Sequence, residues 1–261
     1  MTPTLLHTEN LSIGYAKKGD TNVIASGVAL HFGQGKLFAL IGANGIGKST
    51  LLRTLTGIQQ PLDGVVSLHK KNISAYTSSE LAQQLSLVLT EKLPPSNLTV
   101  FELIALGRQP YTNWLGTLTP NDLEKINEAM ALTDTAALSQ KKHHELSDGQ
   151  LQKVLIARAL AQDTPLIVLD EPTTHLDLQH KISLLRLLRK LAHDAQKCIV
   201  FSTHDIEMAM EVSDEIVLMT PGKITQATPK DLMAGEALNG LFTDPNIRFD
   251  AEKVKFVFTD L

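Results

Sequence analysis

Short apolar runs set off by glycine alternate with stretches of helical spacing along most of this chain. Near the start, Leu11-Ser12-Ile13 and the segment from Val23 to Phe32 alternate apolar and polar positions, which predicts short strands. Gly33-Gln34-Gly35 predicts a turn before the wholly apolar run Leu37-Phe38-Ala39-Leu40-Ile41, a buried strand by its length. The helix after it should stop at Gly57, the residue past the C-cap, with Pro61 close behind. Asp63-Gly64 predicts a turn into the strand Val65-Val66-Ser67-Leu68.

The pattern changes over residues 90–150. Thr99-Val100-Phe101-Glu102 fits a capping box, with helical spacing continuing through Leu106. Thr119-Pro120 fits an N-cap followed by proline at the first helical position, and helical spacing then runs to Met130. Pro94-Pro95 and Pro110 are breaks. Farther on, Leu151 to Ala161 reads as a helix, Leu166 to Leu169 as a strand and residues 178–193 as a helix. A strand at Ile199–Phe201, a helix at Asp205–Val212 and a strand at Glu215–Met219 follow. Such alternation predicts an α/β fold: a mainly parallel sheet with helices on both faces. Residues 1–261 are expected to form one domain. Its core would come from about 1–89 and 151–220, with a helical insertion at about 90–150 and a C-terminal extension at about 221–261. The extension holds a turn signal, Pro221-Gly222-Lys223, and a helix start, Thr228-Pro229.

The chemistry begins where the strand Leu37–Ile41 ends. Gly42-Ala43-Asn44-Gly45-Ile46-Gly47-Lys48-Ser49-Thr50 is a glycine-rich loop between a strand and a helix, the context of a phosphate-binding P-loop. Gly42, Gly45 and Gly47 let successive backbone N–H groups turn toward phosphate oxygens, and Asn44 and Thr50 belong to the same cradle. Lys48 should reach the β- and γ-phosphates and Ser49 should ligate Mg²⁺. The strand Leu166–Leu169 ends in Asp170-Glu171. Asp170 can hold Mg²⁺ through water, beside the P-loop if the two strands are neighbours, and Glu171 can polarise an attacking water. Ser147, Gly149 and Gln150 open the helix Leu151–Ala161. Ser147 with Gln150 is a capping box, and the same helix N-terminus is an anion site able to receive a γ-phosphate.

Composition narrows the partners. The net charge is −4 and the pI is near 6.1, which argues against nucleic acid. Lys17-Lys18, Lys70-Lys71 and Lys141-Lys142 are pairs that read as solvated surface. Cys198 stands alone in an apolar run, so no internal disulfide forms, which suits a reducing compartment; it is expected to be a small core residue. The N-terminus lacks a signal-peptide pattern, and no apolar stretch approaches the ~18 residues of a membrane helix. Any membrane role is therefore expected to be peripheral, through a partner.

At this point the chain resembles a family, the ATP-binding subunits of ABC transporters. Leu146-Ser147-Asp148-Gly149-Gln150 is similar to that family's signature sequence. Asp170-Glu171-Pro172-Thr173-Thr174-His175-Leu176-Asp177 resembles Walker B plus the D-loop, and Ser202-Thr203-His204-Asp205 resembles the switch-histidine segment. The resemblance implies a P-loop NTPase core with N-terminal antiparallel strands and an inserted helical subdomain. It implies ATP and Mg²⁺, and a homodimer in which each P-loop faces the signature residues Ser147, Gly149 and Gln150 of the other copy. Glu171, His204 and Lys48 would be catalytic, with His204 sensing the γ-phosphate. Tyr15 would stack on adenine and Asp177 would sit at the dimer seam.

Two positions depart from the family pattern. Asp148 replaces a glycine, and Thr90-Glu91 stands where a glutamine couples Mg²⁺ to the membrane partner; Thr90 or Glu91 would take over that contact. Leu98-Thr99-Val100-Phe101-Glu102-Leu103, Leu106-Gly107-Arg108-Gln109-Pro110-Tyr111 and the helix Leu151 to Gln162 resemble importers of iron chelates, haem and cobalamin, as does the short chain. The implied partners are integral membrane permease subunits at the cytoplasmic face of the inner (plasma) membrane. A periplasmic or lipoprotein solute-binding protein would be reached indirectly. Soluble ABC ATPases that act on cytosolic assemblies, such as an Fe–S scaffold, share every catalytic motif, and a binding-only module is a third class.

Overall fold

The computed structural model describes residues 4–17, 20–89, 96–174, 176–235, 237–241, 246–250 and 255–258. Its N-terminal region differs from the expected set of short strands, because β1 (Thr4–Lys17) is one strand of 14 residues. It stays long because it serves three partners. Leu6 and His7 pair with β3 (His31–Gly33) on one side and β5 (Asp63–Leu68) on the other, while Leu11 to Lys17 pair with β2 (Asp20–Val28). Register shifts between Leu11 and Gly14 let the strand bend as it changes partners. With β6 (Lys71–Asn72) these strands make an antiparallel sheet in the order β2-β1-β5-β6, with β3 also on β1.

The second sheet has six strands in the order β11-β10-β4-β9-β8-β7. It comprises β4 (Leu37–Gly42), β7 (Leu85–Val88), β8 (Leu166–Leu169), β9 (Cys198–Thr203), β10 (Glu215–Thr220) and β11 (Lys223–Ala227). All neighbours are parallel except β10 and β11, the hairpin turned by Pro221-Gly222. β9 therefore lies between β4 and β8, and the P-loop strand and the Asp170 strand are not neighbours.

Alternation along these strands divides the core. Phe38, Leu40, Leu166, Val168, Cys198, Val200, Val217 and Met219 face α1 (Lys48–Leu55) and the antiparallel sheet. Leu37, Ala39, Ile41, Ile167, Leu169, Ile199 and Phe201 face α6 (Leu178–His193) and α7 (Ile206–Val212). Cys198 is fully buried, and burial pushes its thiol pKa far up, so it stays an unreactive core group.

The helices keep the expected signals. α1 ends at Leu55 with Thr56 as its C-cap, followed by Gly57 at φ 75°. Thr99 and Thr119 form complete capping boxes at α3 (Val100–Ala105) and α4 (Pro120–Leu132), and Thr228 caps α8 (Pro229–Ala234). A short α2 (Ser78–Ala82) precedes β7. α3 and α4 pack on α5 (Asp148–Ala161) through Val100, Leu103, Ile104, Ile126, Val154 and Ala157. The opposite side of α5 packs on the central sheet through Leu155, Ile156 and Ala159. Arg108, buried between these helices, donates to Asp122 Oδ1 at 2.8 Å and to the Ala161 carbonyl at 2.7 Å. β12 (Ile247–Asp250) and β13 (Lys255–Phe258) pair antiparallel as a separate two-stranded sheet. Among the described residues, no helix is long and apolar enough to cross a membrane.

Candidate nucleotide site

β4 is buried along its whole length, Gly42 included, and the chain reaches the surface at Ala43. The loop then needs backbone geometry that side chains resist. Gly45 has φ 75° and Gly47 has φ 112°, and a Cβ on Gly47 would sit 2.6 Å from Ile24 Cγ2. Gly47 is also the N-cap of α1, which has no side-chain cap and no acidic residue in its first turn. Those first-turn N–H groups and the helix field suit an anion. Lys48 is 5% exposed and donates to the carbonyls of Gly42 and Ala43 at 3.0 and 3.3 Å. A Cβ on Gly45 would meet nothing within 4 Å, so the mouth of the cradle is open.

Tyr15, Asn44, Gly45, Gly47, Lys48, Ser49, Thr50 and Glu171 line one cleft. Tyr15 is 46% exposed, and its hydroxyl is 2.6 Å from Thr50 Oγ1. That bond ties an exposed aromatic face on β1 to the P-loop helix. His204, just past the end of β9, lines the adjoining cleft with Gly42, Ala43 and Asn44.

Asp170 and Glu171 follow β8. Asp170 is buried and Glu171 lies at φ 47°, unusual for a side-chain-bearing residue. Glu171 Oε1 is 3.8 Å from Lys48 Nζ, and Oε2 is 4.0 Å from His204 Nδ1. Thr174 donates to Glu171 Oε2 at 3.2 Å. The three groups expected to be catalytic are therefore brought together at the open end of the α1 cradle. The sequence reading assigned no role to Ser202, whose hydroxyl touches both acidic residues. The strand alternation carried that signal: Ser202 is two residues past Val200, on the α1 face.

The donor set fits a magnesium nucleotide. Ser49 and Asp170 offer hard oxygen atoms, and Mg²⁺ is usually held by one or two protein oxygens together with phosphates and water. Among the described residues, no cluster of three or more His, Cys, Asp and Glu forms an all-protein cage. Thr90 and Glu91, named as possible metal contacts, lie outside the described residues.

Ser147, Gly149 and Gln150 are not beside the P-loop cleft. They line a different one with Asp177 and His180, and the two linings share no residue. Ser147 Oγ accepts from Gln150 N–H at 3.3 Å and the Gln150 side chain accepts from Ser147 N–H at 3.2 Å. α5 starts at Asp148, an exposed first-turn acid well placed in the helix field. Asp177 caps α6, accepting from the His180 backbone at 2.9 Å and bonding its Nδ1 at 2.8 Å; these bonds hold its carboxyl below the usual range.

A family model described as "ABC transporter" matches residues 25–174. An uncharacterized ABC transporter ATP-binding protein of Methanocaldococcus jannaschii is 41% identical over 246 residues, covering 94% of this chain and 83% of that protein. The ferric enterobactin transport ATP-binding protein of Escherichia coli K12 is 35% identical, covering 91% and 86%. Among solved structures, an inward-facing transporter described as metal-chelate type has TM-score 0.81 at 27% identity, covering 98% of this chain and 96% of that one. A dimeric ATP-binding cassette with ADP and phosphate has TM-score 0.75 at 26% identity, covering 86% and 99%.

Proposed function

This chain belongs to the ABC transporter family as an ATP-binding subunit, and on that premise we propose that it energises import of an iron complex through a membrane permease. The observation that carries the hydrolytic part is the convergence of Lys48, Glu171 and His204 at the uncapped N-terminus of α1. ATP would lay its phosphates on the N–H groups of Gly45 to Ser49, with adenine against the Tyr15 ring. Lys48 would give up its two carbonyl partners for the β- and γ-phosphate oxygens, and Glu171 would orient water for in-line attack. Ser49 and Asp170 would hold Mg²⁺, which would supply charge neutralisation on the phosphates when bound. His204 would meet the γ-phosphate from the far side of Glu171.

The separation of the two clefts supports a homodimer in which Ser147, Gly149 and Gln150 of one copy close over the nucleotide of the other, with Asp177 at the seam. Closure would move permease subunits at the cytoplasmic face of the membrane. The iron assignment is supported by the ferric enterobactin relative and the metal-chelate type transporter structure. The solute does not touch this subunit in that arrangement, so purification of the chain with its permease and transport assays in vesicles test it. Uptake of a ferric chelate driven by internal ATP is expected. Uptake of cobalamin instead would overturn the iron assignment, and a soluble scaffold in place of a permease would overturn the transport reading.

Glu171→Gln tests the chemistry. The variant should bind ATP, accumulate as a dimer and turn over at least about 100-fold more slowly. Turnover at the wild-type rate would remove Glu171 from the mechanism.

A further inference from the structure

The strand between the two nucleotide motifs brings one more side chain to the reaction centre. Leu169 of β8 is in register with Phe201 of β9, so Asp170 and Ser202 form the next pair outward. On its other side Ser202 is in register with Leu40 of the P-loop strand. It is fully buried, on the face where Cys198 and Val200 precede it. Its hydroxyl donates to Asp170 Oδ1 at 2.6 Å and accepts from the Glu171 backbone N–H at 2.8 Å. One oxygen therefore restrains both the carboxylate that would face Mg²⁺ and the backbone of the residue that would orient water. The Glu171 backbone is at φ 47°, a region a side-chain-bearing residue keeps only where its surroundings hold it.

We infer that Ser202 is a positioning residue for ATP hydrolysis. It fixes the direction of Asp170 and holds Glu171 so that its carboxylate stays between Lys48 and His204. His204 follows two residues later, so Ser202 also ties the switch-histidine segment to both acids. This inference rests on the hydrolytic reading of the same site.

The test compares Ser202→Ala with Ser86→Ala in the full chain. Ser86 is an equally buried strand hydroxyl, on β7, that accepts from Thr164 Oγ1 at 3.1 Å. Its loss reports the cost of removing a buried hydroxyl from this sheet. Steady-state kinetics and Mg²⁺-dependent binding of a fluorescent ATP analogue are read for each folded variant. Ser202→Ala should lower kcat roughly 10- to 100-fold while KM for ATP stays within about threefold. It should also raise the Mg²⁺ concentration needed for half-maximal binding, and Ser86→Ala should change neither. Matching behaviour of the two variants would overturn the inference, as would loss of kcat in step with a rise in KM. Unfolding of Ser202→Ala alone would assign the hydroxyl to folding and also overturn it. If the wild type binds ATP without turnover, the hydrolytic reading fails, and the Mg²⁺ shift still decides whether Ser202 holds Asp170.

Discussion

Tyr15 is anchored at both ends, by β1 and by the 2.6 Å contact of its hydroxyl with Thr50, while its ring faces the cleft. The two contributions separate by substitution. Tyr15→Phe keeps the ring and loses one partly exposed hydrogen bond, so nucleotide affinity should fall by about 0.5–1 kcal/mol. Tyr15→Ala should remove a further ~1–3 kcal/mol of stacking. Calorimetric titration with ATP measures both, and equal losses in the two variants would put the whole effect on the hydroxyl. The residues that sequence alone made legible are those whose chemistry is local. Gly45, Gly47, Lys48 and Ser49 lie within one turn of chain, as do Asp170 and Glu171. The Tyr15–Thr50 and Ser202–Asp170 contacts span 35 and 32 residues, and only the packing of β1 on α1 and the strand order of the central sheet bring their partners together.

At the scale of elements, the helical layer is held by a polar clamp as well as by its apolar faces. Asp122 is the third residue of α4, where its Oδ2 accepts from Thr119 N–H and Oγ1, while Oδ1 accepts from Arg108. Arg108 also reaches Ala161 at the end of α5, and its guanidinium stacks 4.0 Å from the Tyr111 ring centre. Asp122→Ala would leave a buried guanidinium without its carboxylate, and should cost about 3–5 kcal/mol of unfolding free energy in urea titrations. The clamp also has a pH signature. Burial alone would raise the Asp122 pKa, but the Thr119 bonds and Arg108 outweigh it and hold the group below its ordinary value of 3.8. A depressed carboxylate stabilises the folded state above that value, and the contribution fades as pH falls through the lower folded one. Wild-type stability should therefore drop more steeply in that acid range than Asp122→Ala, and parallel curves would contradict the clamp. Gly107 makes the same layer tight, since a Cβ there would run into the Arg158 carbonyl of α5. Gly107→Ala should destabilise by about 1–3 kcal/mol in the same titration. The caps at Thr99 and Ser147 were legible because a capping box is written within four residues, and the cap at Thr119 because a proline follows it directly. The length of β1 and the insertion of β9 between β4 and β8 were not, because partner choice and strand order are decided by packing between distant segments.

For the whole molecule, the decisive geometry is that the phosphate cradle and the Ser147–Gln150 turn line clefts with no residue in common. A site assembled from two copies makes a prediction that a site within one copy does not. Lys48→Ala removes the cradle's buried cation and leaves Ser147 intact. Ser147→Arg fills the other cleft and leaves the cradle intact. Each variant alone should be inactive, because every site in its dimer has one damaged half. In a dimer of one copy of each, the cradle from the Ser147→Arg copy faces the untouched Ser147 of the Lys48→Ala copy. The remaining site carries both lesions. Random exchange should therefore restore activity to about a quarter of wild type, from half of the dimers carrying one of two sites. ATPase assays after mixing and exchange measure it directly. If the nucleotide were handled within a single chain, mixing would restore nothing, since no chain would hold two intact halves. Restoration that rises as the pool approaches equal proportions, and falls on either side, would assign each hydrolytic site to a pair of chains.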